Sequence, residues 1–134
     1  MNEMSNQDVK VLIIDDDPSI LEDVSLTISE QGYAYLTLGS AEAARQRAAG
    51  FQPDLIISDI DLDGESGLEL CKELKQDAAL SDVPVIFLSG AEIPNIIRRA
   101  HAAGGSYYLR KPSVLADLVE KALWMPHLVA GQIG

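Results

Sequence analysis

The chain is short of three things, and each shortage narrows what it can be. A single cysteine, Cys71, stands among 134 residues, so no internal disulfide can form. None is needed, because a domain of this size buries about 70% of the surface its unfolded chain exposes and coheres without a covalent or metal staple. A lone thiol also suits a reducing compartment. No stretch approaches eighteen consecutive apolar residues, which argues against a membrane-spanning helix. Basic residues are scarce, 10 Lys and Arg against 21 Asp and Glu, for a net charge of −11. Phosphates repel such a chain, so nucleic acid and anionic membranes are poor direct partners. Residues 1–8 have neither the basic start nor the apolar stretch of a secretory signal, and the expectation is a cytoplasmic protein.

What remains is an ordinary globular composition, 47% hydrophobic and 23% charged, with an uneven charge distribution. Residues 1–67 hold fourteen acids and three bases, while residues 68–134 hold seven of each. The whole excess of carboxylates lies in the first half.

Short apolar runs alternate with helical patterns. Val9–Ile14 reads as a strand stopped by Asp15-Asp16-Asp17, and Asp17 with Pro18 opens a helix carrying Leu21, Val24 and Ile28 on one face. Gly32 suits its C-terminal cap. Tyr33–Leu38 is a second strand, and Ser40 caps a helix over Ala41–Ala49 that Gly50 ends. Asp54–Ser58 is the third strand, followed by a loop over Asp59–Gly67 and a helix with Gly67, Leu70, Cys71 and Leu74 on one face. Val83–Leu88 and Ser106–Leu109 are the fourth and fifth strands, flanking a helix over Glu92–Ala103 whose Ile93, Ile96, Ile97 and Ala100 face inward. Val114 to Trp124 is the last helix, ended by Pro126. Alternating strands and helices predict an α/β fold, a single doubly wound five-stranded parallel sheet in the flavodoxin-like order 2-1-3-4-5. Residues 1–8 are expected to be a disordered tail, 9–123 the domain, and 124–134 a tail or the start of a linker. The apolar Trp124, Leu128, Val129 and Ile133 suggest that this end packs back, pairs with a second copy, or continues into a longer protein.

In such sheets ligands bind beyond the carboxyl ends of the strands, where the strand order reverses between strands one and three. Asp15 and Asp16 end strand one and Asp59 ends strand three, so three carboxylates are expected to converge. Two unit charges about 4 Å apart repel by about 4 kcal/mol at an effective dielectric near 20. A hard divalent cation offsets that repulsion, and magnesium accepts one or two carboxylates plus waters. Ser89 and Lys111 follow strands four and five. A metal, a hydroxyl and an ammonium around one carboxylate suit a transferring phosphoryl group.

Five segments then arrive in the order of a known family: Val11-Leu12-Ile13-Ile14-Asp15-Asp16-Asp17-Pro18, Pro53-Asp54-Leu55-Ile56-Ile57-Ser58-Asp59, Gly64 to Gly67, Pro84-Val85-Ile86-Phe87-Leu88-Ser89-Gly90, and Tyr108-Leu109-Arg110-Lys111-Pro112. Over about residues 9–123 the chain resembles the receiver domains of two-component response regulators. That resemblance makes Asp59 the phosphoacceptor for a phosphohistidine on a sensor histidine kinase or a histidine phosphotransfer protein. It makes Asp16, Asp59 and the backbone carbonyl of Asp61 the Mg²⁺ ligands, with Asp15 acting through water. It also gives Ser89 and Lys111 the phosphoryl oxygens, Ser89 and Tyr108 the switch, and Lys111-Pro112 a cis junction. The responding face is that of the fourth helix, fifth strand and fifth helix, through which a homodimer is one option. The chain departs from the family's pattern at Asp63, where proline is common, and in the acid at Asp61.

Rival readings are weaker. A non-phosphorylated pseudo-receiver that only binds partners keeps the same fold. A haloacid-dehalogenase-like phosphatase fits Asp59-x-Asp61 and a later Ser89, but its extra acids follow its lysine, whereas Asp15-Asp16 come first here. Asp59-Ile60-Asp61-Leu62-Asp63-Gly64 opens like an EF-hand loop, yet the twelfth position is Leu70 where a bidentate Glu is needed. A flavin phosphate would be repelled by the triple aspartate. His101 and His127 lack metal-ligand spacing, and Cys71 reads as a packing residue. Arg98, Arg99, Arg110 and Lys121 are either a solvated face or a partner surface.

Overall fold

Continuous apolar runs fold where both faces of a strand can be covered, and the centre of this fold is built from three of them. The computed structural model describes residues 8–89, 96–103 and 107–110, with residues 89, 96, 97, 100 and 107–110 described through their backbone alone. In chain order the elements are β1 (Lys10–Ile14), α1 (Pro18–Glu30), β2 (Ala34–Leu38), α2 (Ala41–Phe51), β3 (Leu55–Asp59), β4 (Asp61–Leu62), β5 (Glu65–Ser66), α3 (Gly67–Leu74), β6 (Val85–Ser89), α4 (Ile96–Ala102) and β7 (Tyr107–Arg110). The main sheet runs β2-β1-β3-β6-β7 with every neighbouring pair parallel, the order expected from the sequence. Residues 1–7 of the expected tail over 1–8, Ile93, the Lys111-Pro112 junction, the last helix and the residues after it lie outside the described residues.

Alternation along the strands divides the core in two. Val11, Ile13, Leu55, Ile57, Ile86 and Leu88 point to the face covered by Val24 and Ile28 of α1. Leu12, Ile14, Ile56, Val85 and Phe87 point to the opposite face, under Ala41, Ala44 and Ala48 of α2 and Leu70, Cys71 and Leu74 of α3. The small residues of α2 let that helix lie close to the sheet.

The helix ends follow from local chemistry. Asp17 caps α1 by accepting from the Ser19 N–H at 2.9 Å, with Pro18 in the first turn. At the other end Gly32 takes φ 86°, donates to Ser29 at 2.9 Å, and lets the Tyr33 N–H reach Ile28 at 3.3 Å. Those two bonds form a Schellman cap, and buried Tyr33 and Ile28 share one core cluster beside it. Ser40 caps α2 through the Ala43 N–H at 3.1 Å. Gly50 does not end that helix, contrary to the sequence reading. The helix runs through it to Phe51, and Gln52 closes it with φ 55°.

Candidate functional site

The carboxyl ends of β1 and β3 lie side by side, Ile14 paired with Ser58, so the residues that follow share one mouth of the sheet. Asp15, Asp16 and Asp59 meet there, each offering an oxygen within 4.8 Å of the others. Their environments differ: Asp15 is buried, Asp59 half-buried and Asp16 exposed. Asp15 is fixed at both ends, its N–H donating to Leu38 at 3.1 Å and its Oδ1 accepting from the Asp17 N–H at 2.9 Å. Asp59 repeats the motif more loosely, its Oδ1 accepting from the Asp61 N–H at 3.4 Å. Short acidic side chains hold the turns that follow both strands by bonding a backbone N–H two residues on. Three hard oxygen donors at this spacing fit a divalent cation, which offsets their mutual repulsion.

The other residues expected at the site are placed unequally. Asp61 is exposed at the start of β4. Ser89 ends β6 one residue beyond Leu88, the partner of Asp59, and it pairs with Arg110 on β7. Tyr108 lies on β7 opposite Phe87. Lys111, the residue after β7, lies outside the described residues, as do the side chains of Ser89 and Tyr108. Buried Ser58 donates to the Asp59 carbonyl at 3.0 Å, and Cys71 bonds the same serine. Burial pushes the Cys71 thiol up to about 12, which leaves it protonated and unreactive near neutral pH.

The family profile described as response regulator receiver domain matches residues 11–123. The chain belongs to the receiver domains of response regulators. Among curated relatives it is 37% identical over 108 residues to the heme response regulator HssR of Staphylococcus saprophyticus, covering 81% of this chain and 47% of that protein. It is 32% identical over 127 residues to the two-component response regulator ARR17 of Arabidopsis thaliana, covering 86% and 82%. The chain thus spans about half the length of the HssR relatives it matches. Among solved structures, the chemotaxis protein CheY4 of Vibrio cholerae superposes with a TM-score of 0.81 at 28% identity, over 86% of this chain and 98% of that one. A two-component response regulator from Clostridium difficile gives 0.79 at 27%, over 87% and 97%. No described helix is long and apolar enough to cross a membrane.

The loop between Asp59 and Gly67 is more ordered than its sequence suggests. Where a plain loop was expected, β4 and β5 form an antiparallel hairpin with Asp61 opposite Ser66 and Leu62 opposite Glu65. Asp63 and Gly64 turn it with φ 47° and 89°. Positive φ at both central residues is the type I′ pattern, and Asp-Gly is one of its preferred sequences. That dipeptide is the sequence signal for the hairpin. It also accounts for the departure from the family's common proline, since a proline ring locks φ near −65° and cannot enter this turn. Gly67 closes the loop. Its N–H donates to Ile60 at 2.7 Å, and a β-carbon there would overlap the Asp59 carbonyl oxygen and lie 3.0 Å from the Asp59 carbonyl carbon and 3.2 Å from the Ile60 Cα. Only glycine allows the start of α3 to come this close to the Asp59 backbone.

Proposed function

We propose that Asp59 is the phosphoacceptor of this receiver domain, charged by a phosphohistidine on a sensor histidine kinase or a histidine phosphotransfer protein. The convergence of Asp15, Asp16 and Asp59 at adjacent strand ends carries this reading. An Asp59 carboxylate oxygen attacks the phosphorus, an O–P bond forms as the P–N bond breaks, and the departing imidazole takes up a proton. Water later cleaves the acyl phosphate, restoring the carboxylate and releasing inorganic phosphate. The domain supplies the groups for both steps and has no separate substrate.

Asp16, Asp59 and the backbone carbonyl of Asp61 are the residues to hold Mg²⁺, with Asp15 acting through water. When bound, Mg²⁺ neutralises charge on the incoming phosphoryl oxygens. The chain's own work is to hold the acceptor. Asp15 is locked by its two backbone bonds, and the buried Ser58 hydroxyl holds the Asp59 carbonyl. The Ser89 hydroxyl and the Lys111 ammonium take the remaining phosphoryl oxygens, and Ser89 with Tyr108 relays the change. The face of α4, β7 and the last helix then shifts population toward a partner-binding or homodimeric form. A kinase partner and a magnesium requirement suit a cytoplasmic location.

The test is intact mass after incubation with acetyl phosphate and Mg²⁺. One added phosphoryl group is expected, lost in Asp59→Asn and in the presence of EDTA. An unlabelled wild-type chain, or equal labelling of Asp59→Asn, would overturn the assignment. Steady release of phosphate from a simple phosphoester, the mark of a haloacid-dehalogenase-like phosphatase, is not expected.

A further inference from the structure

A hairpin with two residues per strand does not hold itself in place, because its ladder is short and it buries little apolar surface. Its apolar anchor is buried Leu62, and its polar anchor comes from a different part of the chain. Arg45, on α2, pairs with Glu65 of β5. The same guanidinium donates from Nε to Glu73 of α3 at 2.9 Å and lies 3.6 Å from Glu42 on its own helix. Three carboxylates from three elements thus share one planar fork, with the hairpin as one of the three. An isolated surface pair contributes little, but an Arg fork that engages several carboxylates fixes geometry as well as charge.

The hairpin leads directly back to the acceptor. Glu65 pairs with Leu62 and Ser66 with Asp61. The Asp61 N–H rests on Asp59 Oδ1, and Gly67, the next residue after β5, bonds back to Ile60. A displacement of Glu65 therefore passes through the two residue pairs of the hairpin ladder to Asp61.

We propose that Arg45 is a positioning residue for the acceptor loop: it clamps the β4–β5 hairpin through Glu65 and so holds the Asp61 carbonyl in register with Asp16 and Asp59. The proposal rests on the reading of those residues as the Mg²⁺ site. It makes a prediction that simple electrostatics contradicts in sign. Replacing Arg45 with Met removes a positive charge from the neighbourhood of a cation site, which on charge alone tightens cation binding. Loss of the clamp weakens it.

The experiment is calorimetric titration of the full chain with Mg²⁺ alone, with no phosphodonor present. Arg45→Met, Glu65→Gln and the double variant are compared with wild type at a temperature where circular dichroism shows all four folded. The Mg²⁺ dissociation constant is expected to rise severalfold in Arg45→Met, less than the about tenfold that direct partners of metal ligands are worth, because Arg45 acts through Glu65 and the hairpin. Glu65→Gln should weaken binding as well, and the double variant should be no weaker than the worse single one, because both changes release the same clamp. Unchanged or tighter binding in Arg45→Met overturns the clamp, and so do effects that simply add. Labelling separates the two levels of the reading. A wild-type chain that neither binds Mg²⁺ nor labels on Asp59 removes the acceptor assignment itself. A wild-type chain that does both, beside an Arg45→Met chain that binds equally well, removes only the clamp.

Discussion

Gly67→Ala tests the loop that follows Asp59 more sharply than any change to a charged residue. The new methyl group would overlap the Asp59 carbonyl oxygen, and its next contacts, at 3.0 and 3.2 Å, are also backbone atoms. Carbon contacts are comfortable at about 3.5–4.0 Å, so either the end of β3 or the start of α3 must move by on the order of an ångström. Neither can turn aside as a flexible side chain would. Overpacking of this kind costs about 1–3 kcal/mol, and a clash with rigid backbone belongs at the top of that range. Against it stands the smaller chain entropy that alanine loses on folding, worth about 0.4–1 kcal/mol. The net expectation is a loss of about 2 kcal/mol, which at about 2 kcal/mol per molar in urea lowers the unfolding midpoint by about 1 M. Gly50→Ala is the matched control. It makes the same change inside α2, with nothing within 4 Å of the new carbon, and should raise the midpoint slightly. Urea titration followed by circular dichroism reads both. Acetyl phosphate labelling of Gly67→Ala should also slow, because the strain falls on Asp59's own backbone. Gly67→Ala behaving like Gly50→Ala would refute the steric argument.

Three further changes probe neighbouring features. Asp63→Pro cannot reach φ 47° and should cost about 2 kcal/mol in backbone strain, with faster amide exchange in the hairpin, while Asp63→Gly stays within about 0.5 kcal/mol of wild type. Equal exchange rates in the two variants would contradict the turn assignment. Asp17→Ala removes the α1 cap and should cost about 1 kcal/mol by urea unfolding, a loss that Asp17→Asn should largely avoid. Cys71 gives a pH signature: its thiol ionises near 9 when unfolded and is pushed up to about 12 by burial in the fold. Its contribution to stability is therefore complete below pH 9 and declines as pH rises toward 12, by at most about 1.4 kcal/mol per pH unit. A Cys71→Ala chain should show a flatter alkaline decline in its urea midpoint, and parallel declines would refute the assignment.

The parts legible in the sequence were those set by local chemistry and pattern. The runs in β1, β3 and β6 announced strands covered on both faces, and their order alone brings Asp15, Asp16 and Asp59 together. Asp17, Gly32 and Ser40 marked helix ends because caps depend on a few adjacent residues. Gly50 misled for the same reason. Glycine often follows a helix, but here the helix tolerates it and Gln52 takes the left-handed position instead. Arg45 was invisible because its partners Glu65 and Glu73 lie 20 and 28 residues away, and charge pairs at that distance have no sequence signature. Gly67 was read as part of an apolar face. Its close approach to Asp59 exists only once α3 has packed against the end of β3.

The cluster at the sheet's mouth also affects the folding equilibrium. Asp15 and Asp16 lie far from Asp59 along the chain and become neighbours only when β1 and β3 pair, so in the unfolded chain they hardly sense one another. The native state alone carries their repulsion, and the native state alone presents a cation with all three. Added salt, by screening that repulsion, should raise stability. A cation that binds the cluster should stabilise the fold further, by about 1.4 kcal/mol for each tenfold rise in concentration above its dissociation constant. The unfolding midpoint of the unphosphorylated chain thereby becomes a gauge of how well the site is assembled, readable without any phosphodonor or partner.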